Sequence, residues 1–221
     1  MKLIAAVNMR KISLQNLSCH RGGYPILKNI CLDIEPGQTL RVIGPNGCGK
    51  STFLKTVVGL LESPGKTIRY GDQRIHNDDF IFLDHLPLMK NNLTTQENLN
   101  FWSGIYHSSA LDLTNAMQVF GLHTLLHTPF HALSCGQQKR LQLALILLKK
   151  SPIWILDEPL AGLDTHYQQR LATMVKTHND HQGIVLYASH DPIPGIRDCT
   201  IEIHPFQPQV YTDDLDDFAA A

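Results

Sequence analysis

The chain has 221 residues, a formal net charge of −1 at pH 7 and five cysteines. This length allows one large domain or two small ones with a substantial core, and the near-neutral charge gives no general attraction to nucleic acid. The cysteines are odd in number and form no CxxC pair, which indicates reduced thiols and excludes a disulfide framework or zinc site as the organising feature.

Neither apolar segment of interest is long enough to act as a targeting signal or to span a membrane. The apolar run within "MKLIAAV" at the start, after its lysine, is shorter than the roughly 7–15 residues of a signal-peptide core. "LQLALILL" at 141–148 is far below the roughly 20 residues of a membrane helix and is closed by Lys149 and Lys150. We therefore expect a soluble protein that can dock onto a membrane protein.

The first part of the chain predicts strands around one glycine-rich loop. "KISLQNLSC" alternates apolar and polar residues, and "ILKNICLDIEPGQTLRVIG" indicates two strands joined at a Glu-Pro-Gly turn. An apolar helix, "KSTFLKTVVGLL", follows the glycine-rich loop. "KTIRYGDQRIH" then predicts a hairpin around Gly71 and Asp72, and "DFIFLDH" predicts a further strand.

From Thr94 the apolar period becomes helical and stays so, with one interruption at "GLHTLLHTPFHALS", as far as Lys150. "TTQE" predicts a capping box in which Thr94 accepts from first-turn amides and Glu97 reaches back. Two apolar strands, "PIWILDEP" and "GIVLYASHD", then flank the helix "DTHYQQRLATMVKTH". Strands buried on both faces that alternate with helices indicate an α/β fold with a parallel sheet.

"GPNGCGKS" matches the phosphate-loop pattern G-x-x-x-x-G-K-[ST] and lies between a predicted strand and helix, which is the context that the motif requires. Its amides and the helix N-terminus favour an anion. Lys50 is expected to reach the β- and γ-phosphates, and Ser51 to bind Mg²⁺. The predicted nucleotide-binding residues of this loop are Gly44, Pro45, Asn46, Gly47, Cys48, Gly49, Lys50, Ser51 and Thr52.

Two carboxylates end the strand "IWILDEP". Asp157 is placed to hold Mg²⁺ through its water shell, and Glu158 to orient or deprotonate the water that attacks the γ-phosphate. One solvated acid after a strand is common, but the pair together with a phosphate loop predicts nucleotide hydrolysis.

"LSCGQQKR" at 133–140 indicates which kind of nucleotide hydrolase this is. Together with "AGLD" at 161–164 and "SHD" at 189–191, it resembles the nucleotide-binding domain of ABC (ATP-binding cassette) ATPases. The resemblance implies one P-loop NTPase domain over 1–221, with a RecA-like parallel-sheet core and an antiparallel β subdomain at about 9–85 and 151–206. It also implies a helical subdomain at about 86–150 and leaves an acidic tail at 207–221.

The resemblance further implies that two copies bind ATP and Mg²⁺ in a head-to-tail dimer. Ser134 and Gly136, with Gln137, would then contact the γ-phosphate held by the other subunit. Asp164 matches the loop that communicates between the two sites, and His190 matches the family's switch histidine. The partners implied are integral membrane permease subunits encoded separately, with no nucleic acid, at the cytoplasmic face of the bacterial inner membrane.

Within the family, "GQQKR", "PIWILDEP" and "LTTQENLNFW" resemble the ATPase subunit of the cytochrome c maturation (haem exporter) system. Arg21 falls where most relatives stack an aromatic ring on adenine, with Tyr24 as an alternative platform.

An ATPase subunit of an importer or exporter for another substrate is an open alternative function. A soluble ABC ATPase of DNA repair or translation is disfavoured, since neither long coiled coils nor a second cassette occurs. A nucleotide-gated binding module with little turnover is also disfavoured, because such modules usually lack the carboxylate that Glu158 provides.

The junction "LDHLPLMKNNLT" departs from the family pattern. The family carries a glutamine there that approaches Mg²⁺ and the attacking water, whereas this chain has His85, Leu86 and Pro87. His85 could replace the glutamine, although strand alternation predicts that it faces away from the site. Alternatively, water fills the gap, or a partner completes the site. Of the three, the sequence favours water.

Overall fold

The described part of the chain forms two β-sheets and a group of helices. The structure is a computed structural model and describes residues 10–21, 24–63, 65–85 and 88–204, without the side chains of Arg21 and Tyr24. The strands are β1 (Ile12–Arg21), β2 (Tyr24–Ile34), β3 (Thr39–Ile43), β4 (Thr67–Tyr70), β5 (Gln73–Arg74), β6 (Phe80–Leu83), β7 (Ile153–Asp157), β8 (Ile184–Ala188) and β9 (Cys199–Glu202). The α-helices are α1 (Lys50–Val57), α2 (Thr95–Ile105), α3 (Ala110–Val119), α4 (Cys135–Lys149) and α5 (Thr165–Asp180).

The larger sheet has the order β6-β7-β8-β3-β9, and every neighbouring pair in it is parallel. All five residues of β7 and of β8 are buried. On β7, Ile153 and Ile155 face the core that contains α1, whereas Trp154 and Leu156 face the core formed by α2 to α5. The predicted α/β class with strands covered on both faces is therefore confirmed.

The smaller sheet is antiparallel and has the order β2-β1-β4-β5. The predicted hairpin at Gly71 is present as β4 and β5. The two strands predicted on either side of the Glu-Pro-Gly turn are also present, but β2 belongs to the antiparallel sheet and β3 to the parallel one. A turn closed by Gln38 N donating to Glu35 O, at 3.1 Å, makes this change of sheet.

Capping boxes start three of the helices. In α2 the predicted box is present, with Thr94 accepting from Glu97 N and Glu97 accepting from Thr94 N. The same reciprocal pair joins Ser109 and Asp112 at the start of α3, where the sequence patterns predicted no separate cap. The third box, at α4, involves signature residues and is described below. The caps satisfy first-turn amides that would otherwise lack partners.

The parallel pairing brings the carboxyl ends of four strands to one edge of the sheet. Leu83 is opposite Leu156, Asp157 is opposite Ala188, and Val42 is also opposite Ala188. The segments that leave β3, β6, β7 and β8 therefore emerge side by side, as ligand-binding loops of open α/β sheets do. They carry the phosphate loop, His85, the two carboxylates and His190.

A buried histidine predicts how stability depends on pH. His178 of α5 stacks on Trp154 of β7 with ring centroids 3.9 Å apart, and its Nε2 lies 3.0 Å from Pro152 O. Burial lowers the pKa of His178 from 6.5 to about 4. Between pH 6.5 and 4 the unfolded chain binds a proton at His178 that the folded chain does not. This group therefore leaves the unfolding free energy unchanged above pH 6.5 and lowers it as the pH falls to 4.

We expect this linkage to cost about 3 kcal/mol of unfolding free energy between pH 6.5 and 4. In His178→Gln, which does not titrate, the fall measured by urea unfolding should be smaller by about that amount. His127→Gln, at an exposed position that does not contribute to the pKa shift of His178, is the control and should keep the original profile. Identical pH profiles for His178→Gln and the unsubstituted chain would contradict the assignment.

Candidate active site

The phosphate loop connects β3 to α1 and depends on glycine at its two ends. Gly44 has φ +143° and Gly49 has φ +113°, which side-chain-bearing residues rarely adopt. A Cβ on Gly44 would also lie 2.3 Å from the backbone oxygen of Ile203, and one on Gly49 would lie 2.6 Å from Ile26 Cγ2. The loop can pass this close to β2 and to the residue after β9 only because these positions are glycines.

Lys50 begins α1 and is buried. Its Nζ donates to Gly44 O at 2.9 Å and to Pro45 O at 3.2 Å. The ammonium group therefore lies over the concave side of the loop, where an anion would be bound. These carbonyl contacts satisfy two of its three donors.

A cavity of about 840 Å³ opens beside the loop. The phosphate loop and the start of α1 contribute Asn46, Gly47, Gly49, Lys50, Ser51 and Thr52 to its lining, and the ends of β6 and β7 contribute His85, Asp157 and Glu158. Cys19, His20, Lys55 and Leu61 complete the lining. This volume lies within the range of cofactor-sized pockets. The structure thus brings the predicted phosphate loop and the two predicted carboxylates together around one space.

The two carboxylates differ in their surroundings. Asp157 is only 2% exposed, and its Oδ2 has no hydrogen-bond partner. A buried carboxylate oxygen without a partner is costly, and a divalent cation satisfies it, so the residues present fit a magnesium-type ion. Glu158 has φ +46°, which is strained for a residue other than glycine. Its backbone N–H donates to Ala188 O at 2.9 Å, which holds the strained turn.

His190 follows β8 and reaches across to the phosphate loop. Its Nε2 lies 2.7 Å from Asn46 Oδ1, and Arg41 Nη1 contacts its backbone oxygen at 3.5 Å. Arg41 also pairs with Asp198 at 3.2 Å, and Asp198 accepts a short hydrogen bond from the Tyr187 hydroxyl. Burial, reinforced by this carboxylate, raises the pKa of Tyr187. The network fixes the base of the segment that carries His190.

His85 faces the cavity, so the orientation expected from strand alternation is wrong. Strand β6 ends at Leu83, and the pleat that would turn His85 away stops there. Instead, His85 N donates to Asp84 Oδ1 at 2.8 Å, a local bond that turns the chain. His85 Nδ1 then lies 3.4 Å from Asp157 Oδ2.

Two lysines that interact with the acidic groups of the site, Lys55 and Lys139, were not singled out from the sequence. Lys55 pairs with Asp84 at 2.9 Å. Burial tends to raise the pKa of Asp84, but the hydrogen bonds from Lys55 and from His85 N outweigh it, and the pKa is lowered. Burial lowers the pKa of Lys139 against the attraction of Asp157, Glu158 and Asp84. Lys55 was detectable, because it follows Ser51 by four residues and shares its helix face.

Ser134, Gly136 and Gln137 form the start of α4 and are not among the described residues that line this cavity. Ser134 caps α4: its Oγ accepts from Gln137 N at 3.3 Å, and Gln137 Oε1 accepts from Ser134 N at 2.9 Å. Among the described residues that line the cavity, none belongs to the signature. Asp164 caps α5 by accepting from Tyr167 N at 3.0 Å, so it too has a structural role within the subunit.

Three of the predicted positions lie outside what the structure describes. These are Leu86 and the side chains of Arg21 and Tyr24. Their expected contributions stay predictions. Cys19 and His20, immediately before Arg21, do line the cavity, so the end of β1 forms part of its wall.

A phosphate loop after a buried parallel strand, with two carboxylates at the end of another strand of the same sheet, defines a P-loop nucleotide site. The chain belongs to the ABC transporter family, whose model matches residues 27–161. Membership implies that the protein binds and hydrolyses ATP, and the fold and activity expected from the sequence are confirmed.

Similar proteins carry a more specific description. "Cytochrome c biogenesis ATP-binding export protein CcmA" of Rhizobium meliloti (strain 1021) is 38% identical over 191 residues, covering 83% of this chain and 92% of that protein. The protein of the same description from Brucella abortus (strain 2308) is 36% identical over 186 residues, covering 83% of this chain and 86% of its own length. The resemblance to this subfamily is therefore confirmed.

Solved structures show the same fold. The ATP-binding subunit of an ABC transporter superposes with a TM-score of 0.78 at 23% identity, covering 87% of this chain and 85% of that chain. A putative ABC transporter ATP-binding protein from Pyrococcus furiosus gives 0.75 at 24% identity, covering 87% of this chain and 97% of that chain. In the part of the chain that the structure describes, no helix is long and apolar enough to cross a membrane.

The signature glycine also has a packing role within one subunit. A Cβ on Gly136 would lie 2.5 Å from Gly162 O, a backbone atom in the predicted "AGLD" loop. Gly136→Ala should therefore displace this loop or α4 and lower the unfolding free energy by about 1–3 kcal/mol. The measurement is the urea unfolding midpoint at unchanged slope.

Gly104→Ala is the matched control, since Gly104 lies in α2 and a Cβ added there would meet no atom within 4 Å. This change should raise stability by about 0.5–1 kcal/mol. If Gly136→Ala were as stable as the unsubstituted chain, the contact with Gly162 O would impose no constraint.

Proposed function

We propose that this chain is the ATP-hydrolysing subunit of a membrane complex that handles or exports haem in cytochrome c biogenesis. The similarity to the CcmA proteins over most of both chains carries the proposal. The site geometry supports the hydrolytic part, because a buried carboxylate that lacks a hydrogen bond and a glutamate line one cavity together with the phosphate loop.

In the proposed site, Lys50 leaves the carbonyls of Gly44 and Pro45 and donates to the β- and γ-phosphates. Backbone amides of the loop donate to the same phosphates. The residues that bind nucleotide are Gly44, Pro45, Asn46, Gly47, Cys48, Gly49, Lys50, Ser51 and Thr52. Arg21 stacks on the base, with Tyr24 as the alternative platform.

Ser51 and Asp157 hold Mg²⁺, which supplies positive charge to the phosphate oxygens. Glu158 orients the attacking water and takes its proton. His190 exchanges its contact with Asn46 for a hydrogen bond to the γ-phosphate. Its ring nitrogen already lies 2.7 Å from a loop side chain, so only a small movement is required.

The absence of the signature residues from the described cavity lining supports a head-to-tail dimer. Ser134, Gly136 and Gln137 begin a helix, and in one copy they do not line the nucleotide space. In the dimer they close on the nucleotide of the second copy, where the helix N-terminus favours the γ-phosphate. Asp164 communicates between the two sites through its position at the start of α5.

The partners in the proposal are permease subunits in the membrane and a second copy of this chain, without nucleic acid. The chain lies peripherally at the cytoplasmic face of the inner membrane. We divide it into a core with an antiparallel β subdomain, about 9–85 and 151–206, and a helical subdomain, about 86–150. Residues 207–221 form an acidic tail that lies outside the described residues.

Glu158→Gln tests the hydrolytic step and the dimer together. The amide keeps the side-chain shape but cannot take a proton, so ATP turnover should fall by about 10²–10⁴-fold while nucleotide binding persists. ATP should then convert the variant from one copy to two, measured as mass by light scattering. Lys50→Ala is the control and should neither bind ATP nor dimerise.

Unchanged turnover in Glu158→Gln would refute the role of Glu158. Loss of turnover with bound ATP but no gain in mass would count against the dimer and leave the hydrolytic assignment intact.

Purification of the chain from native membranes tests the haem assignment. We expect the bound proteins, identified by mass spectrometry, to be the membrane subunits of a cytochrome c maturation complex, and deletion of the chain to abolish covalent haem attachment to cytochrome c. Permeases of a sugar, metal or lipid system would overturn the assignment, whereas the ATPase activity of the purified chain would be unaffected.

A further inference from the structure

Three side chains able to bind a metal ion meet where β6 and β7 end. Asp84 and His85 follow β6, and Asp157 is the last residue of β7. Each offers one ligand atom, and the three atoms all lie within 4.8 Å of one another. The parallel pairing of Leu83 with Leu156 brings the two strand ends to this point.

Contacts around Asp84 fix the position of His85. Lys55 Nζ lies 2.9 Å from Asp84 Oδ2, and Gln142 Nε2 donates to the Asp84 backbone oxygen at 2.7 Å. Asp84 Oδ1 lies 2.6 Å from His85 Nδ1 and also accepts from His85 N. Asp84 Oδ1 thus contacts the same ring nitrogen that lies 3.4 Å from Asp157 Oδ2, so a cation bound to Nδ1 would displace the hydrogen between this nitrogen and Asp84.

Asp157 supplies the independent sign of a ligand. Its Oδ2 is buried, lacks a hydrogen bond and lies 3.4 Å from His85 Nδ1. Octahedral ligands about 2.1 Å from a small divalent cation lie roughly 3 Å apart, so one ion can contact both atoms after a small adjustment. An ion at this place would also satisfy the unpartnered oxygen.

The residue types determine which ion the group favours. Mg²⁺ prefers oxygen ligands, whereas imidazole nitrogen suits transition-metal ions and binds them more tightly along the series from Mn²⁺ to Cu²⁺. Leu86, which follows His85, carries no ligand atom. The nitrogen ligand available after β6 is therefore the imidazole of His85.

We propose that His85 supplies an imidazole nitrogen to the divalent cation of the bound nucleotide, beside Asp157, and so increases the preference of this site for Mn²⁺ over Mg²⁺. Asp84 then gives up its contact with Nδ1 and stays paired with Lys55 through Oδ2. The inference rests on the proposed function, because it requires nucleotide and its cation in the cavity. It replaces the water-filled site favoured from the sequence.

Pulsed electron paramagnetic resonance of Mn²⁺ tests the bond directly. The full chain is labelled with ¹⁵N in its histidine rings and loaded with Mn²⁺ and a non-hydrolysable ATP analogue of natural ¹⁴N content. We expect a ¹⁵N coupling of the size given by a directly bound imidazole. This coupling should vanish in His85→Gln and persist in His127→Gln, a control at a position remote from the cavity lining.

His190→Gln is the second comparison, since His190 is also close to the phosphate loop. The ¹⁵N coupling should persist in this variant. Its loss there and survival in His85→Gln would overturn the proposal. In His85→Gln the ratio of Mn²⁺ to Mg²⁺ affinity, measured by titration in the presence of the analogue, should fall roughly tenfold.

The two proposals fail in different ways. Bound analogue and Mn²⁺ without any ¹⁵N coupling would overturn the role of His85 and leave the proposed ATPase function intact. No binding of the analogue by the unsubstituted chain would overturn both.

Discussion

The parallel pairing of β7 with β6 and β8 is the constraint on which the site depends. Because Leu83 is opposite Leu156 and Asp157 is opposite Ala188, the segments that follow all three strands start at one edge of the sheet. The pairing survives because both faces of β7 are covered, by α1 on one side and by the helices α2 to α5 on the other. Burial of apolar strand residues therefore sets the distances between polar groups that lie beyond the strands.

Most polar groups of the site have partners within the chain, and these partners are easily exchanged. Lys50 donates to two loop carbonyls, His190 contacts Asn46, and Ser134 is paired with its own helix. Phosphate oxygens are better acceptors for these donors than neutral carbonyls, since charge-assisted hydrogen bonds are stronger. Asp157 Oδ2 is the exception among these groups, because it lacks a hydrogen bond. A cation bound here would supply the partner that this carboxylate oxygen lacks.

Sequence patterns predicted the regular elements well, because the physical causes of those elements are local. Glycines at fixed spacing, Thr94 with Glu97, and the fully apolar stretch before Asp157 each determine their own structure. Sheet membership was not local: β2 and β3 are consecutive in the chain but pair in different sheets. The charged surroundings of the site, Lys55 and Lys139 in particular, also depend on how α1 and α4 approach β7, which no short pattern contains.

The orientation of His85 shows where a periodic rule stops being valid. Alternation across a strand holds only while ladder hydrogen bonds keep the pleat, and β6 ends two residues before His85. Beyond that point the bond from His85 N to Asp84 Oδ1 sets the direction of the chain. In such a segment two consecutive residues can direct their side chains into the same space, because no pleat separates them onto opposite faces. The absence of a ligand atom at Leu86 is therefore compatible with a cation site at this strand end, since His85 Nδ1 already lies 3.4 Å from Asp157 Oδ2.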